Sequence, residues 1–240
     1  MKLFLIIYLT ILFFVETKNL RRLEPIEERY KRLTADEIKA ALPNKNIYVV
    51  DARNNKISNS GYLANSLLLP TYMSFTRWLK VLIPMNSKII IICDNNSCKE
   101  ALEKTETLGC YTILGYALYQ EIIKKKIYKI KKAEYNENTL KDVEKLVMEK
   151  KYLLDVRDIT EYKETGVIKE SHLIPLASHK TQFKNIPKDV DIYLFCIGGG
   201  RALLTATFLQ RAGYTNRLVV MRDGLSKTIK QGYPLVPYSE

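Results

Sequence analysis

The chain has 240 residues, enough for one large domain or two small ones, and its 47% hydrophobic and 27% charged residues are typical of a folded globular protein. Lysine and arginine exceed aspartate and glutamate by 38 to 26, which gives a net charge of +12. No zinc-finger spacing or RNA-recognition signature accompanies the densest basic cluster (121–132), so a solvated basic surface is favoured over nucleic acid as a partner. The two histidines have no neighbours at metal-ligand spacing, so we expect no metal. We also expect no cofactor.

The N-terminus begins with an apolar run, in which Lys2 precedes thirteen uncharged, mostly apolar residues (3–15). A membrane-spanning helix needs about 20 apolar residues, whereas a run of this length suits the core of a secretory signal. We therefore predict that residues 1–18 are a signal peptide and that the protein is in the secretory pathway or extracellular. A short uncleaved membrane anchor is the alternative, because Val15 and Thr17 make a poor cleavage site. Only in that case would the protein contact a membrane.

The two halves of the chain resemble each other. Three blocks of the first half recur in the second at an offset of 103 or 104 residues, and a constant offset indicates a duplicated domain of about a hundred residues. We predict two consecutive domains of one fold, at 34–130 and 138–238. The matching blocks are IYVVDAR (47–53) with KYLLDVR (151–157), KIIIIC (88–93) with DIYLFC (191–196), and LGCYT (108–112) with AGYTN (212–216).

Each copy has the pattern strand, loop, strand, helix. β-branched runs that end in Asp-x-Arg or in cysteine are typical of strands buried on both faces, and a helical stripe of leucine and phenylalanine follows Cys196. Gly109 and Gly213 stand where a helix C-cap glycine belongs, and Asn138 or Thr139 is the expected N-cap of the first helix of the second copy. The predicted fold class is α/β, each domain being a mostly parallel sheet flanked by helices, with ligand sites at the carboxyl ends of the strands.

The loop CIGGGRALL (196–204) joins a thiol, three glycines and Arg201 at the start of a helix. The first amides of a helix carry partial positive charge, and glycines let successive N–H groups form a concave nest for an anion. The amides and Arg201 favour the thiolate of Cys196, and an arginine at a helix N-terminus needs an anion beside it. A buried structural cysteine beside a tight turn is the alternative. We interpret Cys196 as the catalytic nucleophile, and the residues that hold its anionic group as Ile197, Gly198, Gly199, Gly200 and Arg201.

On these motifs the second copy resembles a rhodanese domain. That family has an Asp-x-Arg strand, a Gly-His-Ile-x-Gly-Ala-like segment before an IPL strand, and a Cys-x-x-Gly-x-Arg active loop. Val167 replaces the usual histidine and Glu170 the usual glycine. The resemblance covers most of 34–238, with a specific motif only in the second half. The matching residues are Asp155 and Arg157, GVIKESHLIPL (166–176) and CIGGGR (196–201).

The resemblance implies a thiosulfate sulfurtransferase-like enzyme. Cys196 would attack the outer sulfur of a small-molecule donor such as thiosulfate, hold it as a persulfide, and pass it to a thiol or cyanide acceptor. A non-catalytic rhodanese-like binding module is the alternative. A phosphatase or arsenate reductase of the same fold is less favoured, because those enzymes have a Cys-x5-Arg loop and four residues separate Cys196 from Arg201. The sequence makes no prediction of the oligomeric state.

The corresponding loop of the first copy, CDNNSCKEAL (93–102), is expected to be inactive. It lacks glycine, and Cys98 stands where the second copy has arginine. Asp94 would repel an incoming anion. Ser97 followed by Glu100 has the spacing of a capping box, which would satisfy the helix amides internally.

Two further features of this loop depend on the compartment. Cys93 and Cys98 could form a disulfide in an oxidising lumen, where Cys196 would also be exposed to oxidation. Asn95 begins an N-glycosylation sequon, and its modification would make catalysis in the first copy still less plausible.

Overall fold

The structure is a computed structural model that describes residues 24–54 and 61–239. The predicted signal peptide lies outside the described residues. The described helices are α1 (Ile26–Arg29), α2 (Ala35–Ala41), α3 (Phe75–Leu82), α4 (Cys98–Thr107), α5 (Tyr119–Lys124), α6 (Leu140–Met148), α7 (Ile159–Thr165), α8 (His179–Gln182), α9 (Gly200–Arg211) and α10 (Gly224–Lys230). The described strands are β1 (Ile47–Asp51), β2 (Tyr62–Leu63), β3 (Leu67–Leu68), β4 (Lys88–Cys93), β5 (Thr112–Leu118), β6 (Ile130–Lys131), β7 (Glu134–Asn136), β8 (Tyr152–Asp155), β9 (His172–Leu173), β10 (Ile192–Phe195) and β11 (Leu218–Met221).

Two parallel sheets have the same core order. The first is β3-β1-β4-β5 and the second is β9-β8-β10-β11, to which β7 adds a fifth strand at the edge beside β11. Each strand of the first sheet therefore has a counterpart at the same place in the second. The predicted fold class, two consecutive α/β units with mostly parallel sheets flanked by helices, is confirmed.

We call residues 24–54 and 61–131 the first unit and residues 134–239 the second unit. The second sheet begins with β7, before the domain start predicted at 138. β6 pairs with β2 in an antiparallel ladder, which keeps the chain up to Lys131 with the first unit.

The central strands are buried on both faces. Ile89 and Ile91 of β4 pack into one hydrophobic cluster and Ile90 and Ile92 into another, because successive side chains of a strand point to opposite faces. The cluster that holds Ile89 and Ile91 also contains core residues of β10 and α9, so the two units share one continuous core.

The predicted helix ends are confirmed. Gly109 and Gly213 have positive φ angles of 64° and 93°, a conformation that glycine adopts without strain. Their amides bond to carbonyl groups in the last turn of α4 and α9. Thr139 is the N-cap of α6, where its hydroxyl and the Asp142 carboxylate form a reciprocal capping box.

Each Asp-x-Arg block forms a buried ion pair at the end of its strand. Arg157 donates to both carboxylate oxygens of Asp155 and to the Gly166 carbonyl, 2.9 Å away. Arg53 makes the same contacts with Asp51 and the Gly61 carbonyl. The motif thus fastens the end of a strand to the segment that leads into the next strand.

Helix α9, which follows the Cys196 loop, is fixed against the first unit. The Thr207 hydroxyl accepts a hydrogen bond from the Leu68 amide (3.2 Å), and Gln210 accepts one from Tyr62 (2.9 Å). Arg211 donates to the Ile47 carbonyl at 2.9 Å. Among the described residues, no helix is both long and apolar enough to span a membrane.

Candidate active site

Cys196 follows directly after β10, at the carboxyl edge of the second sheet, where parallel α/β folds bind ligands. Cys196 is 2% exposed and lines a cavity of about 460 Å³. The second unit contributes Asp158, Glu161, Cys196, Ile197, Gly198, Gly200 and Arg201 to the lining. The first unit contributes Tyr72, Met73, Ser74, Arg77 and Trp78. The structure therefore brings five of the six predicted site residues to one cavity; Gly199 lies just outside it.

The first turn of α10 fixes the orientation of the Cys196 loop. The Leu225 amide donates to the Cys196 carbonyl at 2.8 Å, and the Ser226 amide donates to the Ile197 carbonyl at 2.9 Å. In a trans peptide the C=O and the following N–H point in opposite directions. The N–H groups of Ile197 and Gly198 therefore point away from α10.

The amides of this loop are left without protein acceptors. In the part of the chain that the structure describes, no backbone or side-chain acceptor receives a hydrogen bond from the amides of residues 197–202. The Leu203 amide is the first to bond within the helix, to the Gly199 carbonyl at 3.0 Å. Unpaired amides at the start of a twelve-residue helix make a region of positive potential next to the sulfur.

Two glycines make this backbone path possible. Gly199 has a φ of +81° at the N-cap of α9, a value that side chains rarely allow. Gly224, at the start of α10, has a φ of +58°, and a Cβ atom there would lie 2.2 Å from the Cys196 carbonyl oxygen. The loop and α10 can approach this closely only because residue 224 has no side chain.

Arg201 is paired with carboxylates of its own unit. Its guanidinium donates to both oxygens of Glu161, at 2.5 and 2.6 Å, and lies 3.8 Å from Asp158. Burial lowers the pKa of Arg201, but the hydrogen bonds with Glu161 and the charge of the nearby Cys196 outweigh this effect and raise that pKa above its ordinary value. The anion that the sequence argument required beside Arg201 is therefore present as Glu161. Sequence reasoning missed Glu161, although its place in the first turn of a helix that follows the Asp-x-Arg strand was a usable signal.

The second unit is similar to known proteins. Residues 139–231 match the rhodanese-like domain family. This part of the chain is a rhodanese-like domain. A curated "Sulfurtransferase" from Allochromatium vinosum is 29% identical over 84 residues, which cover 35% of this chain and 77% of that protein.

The chain is also similar to solved structures. A rhodanese-like domain protein from Staphylococcus aureus is 22% identical, covers 45% of this chain and 100% of its own, and has a TM-score of 0.38. A thiosulfate sulfurtransferase from Pseudomonas aeruginosa is 16% identical, covers 87% of this chain and 44% of its own, and has a TM-score of 0.36.

The two departures from the rhodanese motif lie away from the cavity. Val167 is 7% exposed and forms a β-bridge with Val236 near the C-terminus. Glu170 has a φ of +65°, so it adopts the left-handed conformation for which the family has glycine. Neither residue lines the space next to Cys196.

The matching loop of the first unit is closed by a disulfide. Cys93 and Cys98 are bonded to each other, with their Cα atoms 5.0 Å apart, and both are buried. Of the other cysteines, Cys110 and Cys196 are free. Asn95, the first residue of the sequon, is exposed.

The capping box predicted for this loop is wrong. The Ser97 hydroxyl contacts the backbone of Asp94 instead of the helix amides, and the Glu100 carboxylate accepts from Lys104 and Thr71. The Asp94 carboxylate caps the turn, accepting from the amides of Asn96 (3.0 Å) and Ser97 (2.9 Å). Aspartate prevails because its short side chain reaches the amides two and three residues ahead without leaving the loop.

The first unit nevertheless contributes to the site of the rhodanese-like domain. Met73 packs against the loop so closely that a Cβ on Gly200 would lie 2.9 Å from its Cε. Arg77 donates to Asp158 at 2.8 Å, and its guanidinium carbon lies 4.7 Å from the centre of the Trp78 ring. Sequence reasoning missed these residues, because only packing between the two units brings them near Cys196.

Proposed function

We propose that the second unit is a sulfurtransferase in which Cys196 carries a sulfane sulfur as a persulfide. The observation that carries the proposal is the set of unpaired amides at residues 197–202, next to a free thiol that lines a cavity. The match to the rhodanese-like domain family and the relative named a sulfurtransferase support the same chemistry.

The first half-reaction loads the sulfur. The Cys196 thiolate attacks the outer sulfur of a sulfane donor, so that a bond forms between the two sulfurs. With thiosulfate as donor, its S–S bond breaks and sulfite leaves with the electron pair. The persulfide is anionic, and preorganised amides stabilise such a charge more effectively than water does, because they need no reorientation. The role of the loop is to hold this intermediate.

The second half-reaction restores the free thiolate of Cys196. A thiolate or cyanide attacks the outer sulfur of the Cys196 persulfide, the S–S bond breaks, and Cys196 leaves as a thiolate. Two such displacements make a ping-pong cycle with a covalent intermediate. Arg201 is held by Glu161, so we assign it to positioning the start of α9 and to electrostatic support of the thiolate.

Intact mass spectrometry tests the proposal. The reduced protein is incubated with excess thiosulfate or a thiol persulfide and measured without further reduction. We expect a gain of about 32 Da, one sulfur atom, that cyanide removes. The gain should be absent in Cys196→Ser and retained in Cys93→Ser. Absence of the adduct with every donor would contradict the proposal.

A further inference from the structure

The cavity next to Cys196 is large compared with an inorganic sulfur donor. Its volume is about 460 Å³, within the roughly 300–1,000 Å³ of pockets that enclose drug-sized organic ligands. Thiosulfate would contact the loop amides and leave most of the lining from the first unit untouched. The size therefore favours a donor with an organic group attached to its sulfur.

The charges of the lining do not favour a small dianion. Arg201 is paired with Glu161, and Arg77 is paired with Asp158. The loop residues between Cys196 and Arg201 are isoleucine and glycine, without charge. The charged side chains of the lining thus balance, and they give no surplus of positive charge that would favour a dianion over a ligand that carries both charges.

The pair of Arg77 and Asp158 keeps N–H donors of Arg77 unused, and the Asp158 carboxylate, which accepts from Arg77 and lies 3.8 Å from Arg201, has lone pairs left. A guanidinium has five N–H donors, and in the described part of the chain Arg77 forms one side-chain hydrogen bond, to Asp158. The Arg77 side chain is 53% exposed and that of Asp158 is 25% exposed, so a ligand can reach both. The contact with the Trp78 ring holds the guanidinium beside the cavity. A carboxylate fits Arg77, and an ammonium group fits Asp158.

We propose that this cavity takes the persulfide of an amino-acid-type thiol, which carries both a carboxylate and an ammonium group, in preference to thiosulfate. The inference rests on the sulfur transfer proposed above. The Cys196 thiolate attacks the terminal sulfur of R–S–S–H, and a new S–S bond forms between Cys196 and that sulfur. The bond that breaks is the S–S bond of the donor, so the organic thiolate R–S⁻ leaves with the electron pair of that bond, and the proton stays with the new persulfide or passes to water.

Three donors test the recognition, with cyanide as a common acceptor and thiocyanate formation as the readout. Cysteine persulfide has both charged groups, the persulfide of 3-mercaptopropionate lacks the ammonium, and thiosulfate lacks the organic part. We expect kcat/KM to fall in that order. Loss of the ammonium group should cost about tenfold, the contribution expected of one charge-assisted hydrogen bond.

Two variants test whether Asp158 and Arg77 recognise the donor. One is a conservative substitution, and the other has a matched control. Asp158→Asn keeps a side chain suited to the N-cap of α7, and Arg77→Gln is matched by Lys80→Gln, which removes an exposed charge from the same helix outside the cavity. Asp158→Asn should lower kcat/KM for cysteine persulfide about tenfold and raise it for thiosulfate. Arg77→Gln should lower kcat/KM for both organic persulfides, and Lys80→Gln should change neither.

The outcomes separate this inference from the proposed function. If thiosulfate is used as well as cysteine persulfide and the Arg77 and Asp158 variants behave like the wild type, the inference is wrong while sulfur transfer stands. If no donor loads Cys196, the proposed function fails and this inference fails with it.

Discussion

The two units place a cysteine loop at the same edge of the same kind of sheet, and they satisfy its backbone in opposite ways. In the first unit Cys93 is bonded to Cys98, and the Asp94 carboxylate accepts from the amides of Asn96 and Ser97. The first loop therefore contains its own anion and its own covalent closure. The Cys93 sulfur and the amides of Asn96 and Ser97 are therefore already occupied within the loop.

In the second unit the loop amides and the cysteine thiol have no such partners among the described residues. The amides of residues 197–202 have no protein acceptor in the described parts of the chain, and Cys196 is a free thiol beside a cavity. Helix α10 holds the carbonyl groups of the loop on the other side. The comparison shows that the shared topology supplies only the position of the loop. Under the function proposed above, activity depends on whether the loop amides are left for a ligand.

The largest expected effect comes from disturbing the contact between α10 and the loop. Gly224→Ala would place a Cβ 2.2 Å from the Cys196 carbonyl at a φ of +58°, so the loop must shift. We expect sulfur transfer to fall by about three orders of magnitude, because catalytic geometry tolerates little displacement, and unfolding free energy to fall by about 2–3 kcal/mol. Gly232→Ala is the control: its φ is +82° but its Cβ would meet no neighbour within 4 Å. An equal loss of activity in both variants would show that strain in the turn, and not displacement of the loop, is responsible.

The second prediction concerns a variant that gives the Cys196 loop a carboxylate of its own, as Asp94 does in the first unit. Ile197 corresponds to Asp94 of the first unit and is 38% exposed, so Ile197→Asp should fold normally while offering a carboxylate to the neighbouring amides. Loss of one or two such donors costs about 10²–10³ in rate, so turnover should fall by about that factor. Ile197→Asn, which accepts hydrogen bonds without the charge, should lose less. Steady-state kinetics with cyanide as acceptor measures both, and unchanged turnover in Ile197→Asp would contradict the role of the amides.

The sequence was sufficient to predict features that depend on local spacing. The constant offset predicted two similar units, the strand patterns predicted the parallel sheets, and Gly109, Gly213 and Thr139 ended or began helices as expected. The loop residues 196–201 were identified because thiol, glycines and arginine are adjacent in sequence. Each of these inferences needs only the order of residues along the chain, and none needs to know how distant segments pack.

Features that depend on packing between distant segments were not predictable. Arg77 and Met73 reach the cavity because α9 packs on the first unit, and no spacing in the sequence predicts that contact. Gly224 matters because α10 lies against the Cys196 loop. The capping box at Ser97 was wrong because two local partners competed for the same amides, and a sequence pattern does not rank such competitors.

The third prediction tests whether the first loop is only structural. The double variant Cys93→Ala/Cys98→Ala removes a disulfide with a sequence separation of 5. Such a short closed loop stabilises the fold by about 2 kcal/mol through the unfolded chain. Denaturant unfolding should show a loss of about that size, with kcat unchanged at temperatures where the protein remains folded. A large loss of kcat in the folded variant would show that the first loop takes part in the reaction.

The smallest expected effect is the loss of unfolding free energy when the contact between Arg201 and Glu161 is removed. Burial raises the pKa of Glu161, but the hydrogen bonds and charge of Arg201 outweigh it, so this pKa lies below its ordinary value of 4.5. The contact therefore stabilises the fold above about pH 4.5, and the contribution is lost as the pH falls through the lower, folded-state pKa. Glu161→Gln should cost about 1 kcal/mol at pH 7, with the difference from wild type shrinking in acid. Glu164→Gln, which removes an exposed carboxylate from the same helix, is the matched control.

The most direct test of the central claim is sulfur transfer by three proteins measured side by side: the wild type, Cys196→Ser and Cys93→Ser. A persulfide held by the open loop of the second unit predicts full turnover in the wild type, close to full turnover in Cys93→Ser, and none in Cys196→Ser. Turnover that survives in Cys196→Ser, or that is lost in Cys93→Ser while that variant remains folded, would contradict the account.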